Sequence, residues 1–172
     1  TIDVLHSKVN FYTIIADYRR YFRLSRRVTY AVRFTTMFND GKEATPFFMG
    51  GSWDLRGYPF WRIWGTKTGL VSQELRFPFI DRFIIRFPIG GLAFSAIRGA
   101  TFLDVGNGWD EKLDRLLGSL GFGIRFRFGG VLVLRFDFGK KFTIHSPERW
   151  RSYLKPEVQP GIFKQVFFGW DF

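Results

Sequence analysis

The sequence contains no cysteine. That excludes a disulfide framework, a thiolate metal site and a cysteine nucleophile together. Histidine occurs only at His6 and His145, in different links, so a zinc site or a Ser-His triad lacks its positioned third partner. No apolar run approaches the roughly 18 residues that a membrane-spanning helix needs. The opening stretch, Thr1 to Asn10, has neither the basic start nor the apolar core of a signal peptide, so an exported protein would carry that signal upstream. Acidic residues are scarce: 15 against 26 Lys plus Arg, a net charge of +11 over 172 residues, a length that reads as one domain. Aromatics are the opposite of scarce, at 20% with 23 Phe, which excludes a disordered chain.

So basic a chain first points to nucleic acid or an anionic surface. The positions of the charges argue otherwise, because many alternate singly with apolar residues and no basic block exists. From Leu120 to Phe128 the chain puts Leu120, Phe122, Ile124, Phe126 and Phe128 on one face and Gly121, Gly123, Arg125 and Arg127 on the other. This is the period of a strand with one apolar face. Arg27 to Phe38, Lys67 to Phe77, Val131 to Phe138 and Phe163 to Phe172 repeat it; Val9 to Arg19 and Leu92 to Gly106 are strand-like with blurred phase. The pattern predicts seven strands and no helix, many of about 9 to 12 residues, the length of a tilted membrane strand. Gly121-Phe122-Gly123 lies inside such a strand with no helix after it. It reads as room for packing or bending, not as a nucleotide loop.

The links alternate in length. Arg20 to Arg26 and Gly129-Gly130 are short; Asn39 to Thr66, Asn107 to Leu117 and Lys140 to Ile162 are longer. Outer-membrane barrels have short turns on one side and long loops on the other. The link from Pro78 to Gly91 is too apolar for a free loop, so its Phe and Ile residues are expected at the membrane interface or in extensions of the flanking strands. Asp110, Glu111 and Asp114 sit in a long link and read as solvated. The competing architecture is a soluble β-sandwich with a Phe-rich core. Against it, the polar faces carry Arg with Gly, which suits a wet, crowded lumen better than a solvated sheet. Seven strands leave two open edges, which lipid does not tolerate. The sequence is therefore expected to be part of a larger barrel, with N-terminal strands supplied by preceding chain or by another chain.

Five segments stand in a particular order: GGSWDLRGY at 50–58, QELRFPF at 73–79, TFLDVGNGW at 101–109, GFGIRFRFGG at 121–130 and the terminal FFGWDF. In that order and spacing the chain resembles, over roughly Phe48 to Phe172, the C-terminal barrel part of the bacterial surface-antigen family, the BamA/TamA-like outer-membrane assembly proteins. Leu55 and Tyr58 are conservative departures from that family's loop motif.

The resemblance implies an all-β, antiparallel transmembrane β-barrel segment, about seven strands forming the C-terminal half of a sixteen-stranded barrel, located in the bacterial outer membrane. It implies that the long loop 39–66 folds inward, bringing Arg56, Gly57 and Tyr58 into a lumen network with Glu74 and Asp104. The alternation supports the placing of Glu74, since a carboxylate sharing a face with Ser72 and Arg76 is costly toward lipid. It implies a C-terminal strand signal in Phe168, Trp170 and Phe172. The function implied is insertion or translocation of client outer-membrane proteins, with no enzymatic step, cofactor, metal or nucleic acid; the partners are outer-membrane lipid, the N-terminal strands or domain, and the clients. The alternative is a barrel serving mainly as anchor or translocator for a larger domain.

Overall fold

Polar residues are buried and large apolar residues exposed along the same strands. Glu74, Asp104, Ser119 and Asp137 are buried while Phe34, Val71, Leu120 and Phe138 are exposed. A soluble sandwich would bury the second set and expose the first. This inversion is what period-two alternation produces when one sheet face meets lipid and the other lines a lumen.

The computed structural model describes residues 10–87, 90–128, 132–145 and 161–170; for 81–96, 128 and 168–170 the description is of backbone alone. Among the described residues nine strands form: β1 (Phe11–Arg23), β2 (Thr29–Gly41), β3 (Phe47–Met49), β4 (Ile63–Gly65), β5 (Lys67–Phe87), β6 (Gly90–Trp109), β7 (Arg115–Phe128), β8 (Leu132–His145) and β9 (Ile162–Trp170). Seven make one antiparallel sheet in the order β1-β2-β5-β6-β7-β8-β9, and β3 pairs with β4 as a small separate hairpin. Among the described residues there is no helix. The sheet is an up-and-down meander that does not close on itself, since β1 and β9 are not paired. It is an all-β segment of a barrel wall.

The strands are longer than the alternation indicated, 13 to 21 residues for β1, β2 and β5 to β8. The apolar link from Pro78 to Gly91 is absorbed into β5 and β6, one of the two expected outcomes. The register slips between Pro78 and Ile80, where proline has no N–H to give the ladder, and then runs on from Ile80↔Ile97 to Phe87↔Gly90. The neighbours stop sooner. β2 pairs with β5 only as far as Arg76, and β7 pairs with β6 only as far as Arg98. The β5–β6 hairpin therefore projects past both. The turn at Gly129-Gly130 and most of the link after His145 lie outside the described residues.

The segment between β2 and β5 turns back over the inner face. Its hairpin β3–β4 and the tip between them bury Met49, Leu55 and Ile63 against Leu70 of β5, with Tyr58 and Leu117 packed alongside. Burying a side chain of this kind is worth about 1.5–3 kcal/mol. An apolar core thus sits inside the wall, between loop and lumen face.

Candidate functional site

The inner-face residues of adjacent strands stand in line. Ser72 pairs in register with Arg33 on one side and Asp104 on the other, and Glu74 lies between Ala31 and Phe102. Ser72 and Glu74 of β5 and Phe102 and Asp104 of β6 share this face because side chains alternate along a strand. The loop tip lowers Arg56 onto that line.

Arg56 is 3% exposed, Glu74 7% and Asp104 0%. Arg56 Nε donates to Asp104 Oδ2 at 2.6 Å, and Nη2 donates to Oδ1 at 2.7 Å. Nη1 donates to Glu74 Oε2 at 2.8 Å. The Arg56 backbone N–H reaches Asp104 Oδ2 at 3.4 Å. Ser72 Oγ donates to Asp104 Oδ1 at 2.6 Å, orienting the carboxylate. The guanidinium plane lies over the Phe102 ring, 3.8 Å from its centre. Burial opposes the Arg56 charge, but hydrogen bonding to Asp104 and the nearness of Asp104 and Glu74 outweigh it, so its pKa rises and the group stays cationic.

Phe102 can take this position because residue 121 has no side chain. A Cβ on Gly121 would come within 2.6 Å of the Phe102 ring. The predicted packing role of that glycine is thereby given a partner. Glu74 is shared further, accepting from Arg76 Nε and Arg125 Nη2, each at 2.6 Å.

The neighbours of Arg56 in sequence are held as well. Gly57 has φ of 84°, in the left-handed region, and the Phe163 ring occupies the place where a Cβ would be. Its N–H donates to Gln165 Oε1 at 3.1 Å. The Tyr58 hydroxyl is 3.2 Å from both the Gly118 and Phe142 carbonyl oxygens, which face each other across β7 and β8. Burial raises the Tyr58 pKa, keeping the donor proton in place. Trp53 meets Phe167 edge-on at 4.8 Å between centroids, Arg33 Nη1 donates to the Trp53 carbonyl at 2.8 Å, and Arg135 donates to that of Ser52.

Of the residues singled out in the sequence, the structure brings Arg56, Gly57, Tyr58, Glu74 and Asp104 into one assembly. Phe168 and Trp170 lie in β9 as backbone; Phe172 lies outside the described residues. Val166, in the same alternating set, is exposed, and Gln165 faces the loop. Asp110 accepts from the Thr66 N–H at 2.8 Å, so it ties the base of the loop to the β6–β7 link. His145 closes β8 opposite Arg115, and His6 is outside the described residues. Among the described residues no group of three His, Cys, Asp or Glu side chains could hold a metal ion.

Ser72, Phe102, Arg125 and Gln165 were not singled out. Ser72 and Arg125 stand on the polar faces of their strands by alternation, Gln165 alternates with the exposed Val166, and Phe102 is two residues from Asp104 on the same face. That parity was the available signal.

A search of curated proteins found no match, and neither did a search of solved structures. A family model, the Omp85 superfamily domain, matches residues 1–151. The match takes in the first two strands, which carry no specific motif, and stops before β9. Proteins of this family are non-enzymatic factors of the bacterial outer membrane that insert or translocate proteins. With a buried loop arginine on the wall of an antiparallel barrel sheet and a family match over most of its length, this chain belongs to the Omp85 superfamily.

Proposed function

We propose that the chain forms the wall and inward loop of a BamA-like barrel that inserts client proteins into the outer membrane. The observation that carries this reading is the burial of Arg56 between Asp104 and Glu74. An exposed loop could reach water with its arginine at no cost; here a charged side chain is taken into the lumen and matched by two wall carboxylates. Such a latch holds the loop at a fixed depth and curvature of the wall. Insertion then needs no covalent chemistry: a client strand pairs with an exposed sheet edge while locally thinned lipid lowers the barrier. Phe168, Trp170 and Phe172 serve in this proposal as the signal by which the chain itself is recognised for assembly.

The test is complementation in cells depleted of the native protein. Arg56→Ala should let the chain reach the membrane but leave client barrels unfolded, read as loss of their heat-modifiable migration. If clients fold normally while only an attached domain is mislocalised, the barrel acts as an anchor and the proposal fails. Deleting Phe172 should reduce insertion of this chain far more than it reduces the stability of chain already inserted; equal losses would remove the signal reading.

A further inference from the structure

On the short-turn side of the loop, a cavity of about 390 Å³ opens between the loop tip and the wall. Its lining is cationic to an unusual degree. Eight arginines line it, among them Arg19, Arg33, Arg76, Arg98, Arg125 and Arg135, against two carboxylates, Asp54 and Glu74. Three more carboxylates stand just behind: Asp17 against Arg19 and Arg33, Asp104 against Arg56, and Asp137 beside Arg135. Leaving Arg127 aside, seven of these guanidinium groups face five carboxylates among the described residues, so positive charge is in excess around one space.

The pairing inside the cavity is also incomplete. Arg56, Arg76 and Arg125 converge on the single carboxylate of Glu74. Among the described residues, Arg125 Nε is buried without a hydrogen-bond partner, and so is Arg135 Nε. The Arg135 side chain is only 10% exposed. Its Nε lies 2.8 Å from Asp137 Oδ2, but the two are not aligned as donor and acceptor, so the contact is Coulombic alone. A buried charged N–H without an acceptor is costly, so it favours an incoming acceptor. Trp53 and Phe167, in edge contact at 4.8 Å between centroids, close one side of it. With water partly excluded, an incoming anion is held more strongly than on an open surface.

We propose that this cavity is a binding site for a multiply charged phosphate group. A monovalent carboxylate offsets one charge of the excess. A phosphate monoester or pyrophosphate brings two or more, with at least three acceptor oxygens, and guanidinium forks match it bidentately. The arginines of β5, β6, β7 and β8 approach from different strands, so they surround such a group. The proposal is independent of the insertion role, because it concerns what the lumen holds and not what the barrel does to clients.

The experiment is calorimetric titration of inorganic pyrophosphate into the purified full-length protein in neutral detergent, with folding checked by heat-modifiable migration. Saturable binding that weakens with added salt is expected. Arg125→Gln with Arg135→Gln should weaken it at least about tenfold, as loss of charge-assisted hydrogen bonds requires. Arg98→Gln, which leaves the Arg56, Arg76 and Arg125 contacts with Glu74 in place, should weaken it in the same direction; Arg62→Gln, on the exposed face of the loop, should not. Phosphatidic acid in mixed micelles that displaces pyrophosphate identifies a lipid headgroup as the source, and failure to displace it identifies a soluble phosphate. The proposal is overturned if folded protein shows no saturable pyrophosphate binding, if the cavity variants bind as the parent does, or if polyglutamate binds where pyrophosphate does not.

Discussion

Arg56 and Asp104 meet fork to fork, with Nε on Oδ2 and Nη2 on Oδ1 at 2.6 and 2.7 Å, although 48 residues separate them in the chain. Both are almost completely buried. Two charges taken out of water are held only if their geometry is good and their remaining polar atoms are bonded. Glu74, Ser72 and the Phe102 ring meet that condition.

Arg56→Ala should therefore cost about 3–5 kcal/mol of loop docking, because it strands Asp104 and part of Glu74 in a buried site. Arg56→Lys should recover less than half of that, since an ammonium cannot span both carboxylates as a planar fork does. Hydrogen exchange of the 47–65 backbone measures the docking free energy directly, and full recovery by lysine would show that charge alone matters.

Asp104→Asn and Glu74→Gln should each weaken docking, and their effects combined with Arg56→Ala should fall well short of additive. Residues in one ion network couple by about 0.5–3 kcal/mol. Asp104→Asn should weaken docking more, because Arg56 makes two side-chain hydrogen bonds and one backbone contact to Asp104 and only one hydrogen bond to Glu74. Strict additivity in a double-mutant cycle would separate the three residues into unrelated contacts.

Gly57→Ala should destabilise the loop by two independent routes. A left-handed φ costs a residue with a side chain about 1–2 kcal/mol, and the new methyl meets the Phe163 ring. Phe163→Ala should relieve the second route and leave the first, so the double variant recovers only in part. Complete recovery would show that the backbone there is not constrained.

Acidification should tighten the loop tip in one respect. Burial raises the Asp54 pKa, with Arg33 opposing and Asp17 adding to the rise. A carboxyl raised in the folded state destabilises docking while ionised; as pH falls through that raised pKa the folded form takes up its proton first, and docking gains until the undocked carboxyl is protonated too. Asp54→Asn should abolish this gain without weakening docking near neutral pH. Loop protease resistance followed from pH 7 to pH 4 checks the sign, and resistance that falls over this range in the parent but not in Asp54→Asn would reverse it.

The alternation of Arg125 and Arg127 with Phe126 and Phe128, and of Glu74 with Leu75, made the wall and its inner face legible, because a two-residue period maps directly onto two faces. The extent of the strands was less legible. The alternation fades after Phe77, where an apolar link begins at Pro78, whereas a bulge lets the ladder pass Pro78 and continue to Phe87. The docking of Arg56 depended on likeness to a family, since nothing local says that a loop arginine is buried. Phe102 and Phe163 are illegible in the sequence for a related reason. An inward phenylalanine looks like a phase error in a wall whose apolar residues face out, until the loop that covers it is in place.

The loop also touches nearly the whole breadth of the sheet. It bonds Arg33 in β2 at one side, and Gln165 and Phe167 in β9 at the other, with contacts to β5, β6, β7 and β8 between. Such a segment works as a spacer across an arc: its size fixes the chord between β2 and β9, and so the radius to which the wall can bend. Radius in a cylinder of strands rises with their number. A shorter tip would draw β2 and β9 together and tighten the arc; a longer one would let it flatten. Strand number in the finished cylinder and the length of this one loop are therefore not independent quantities.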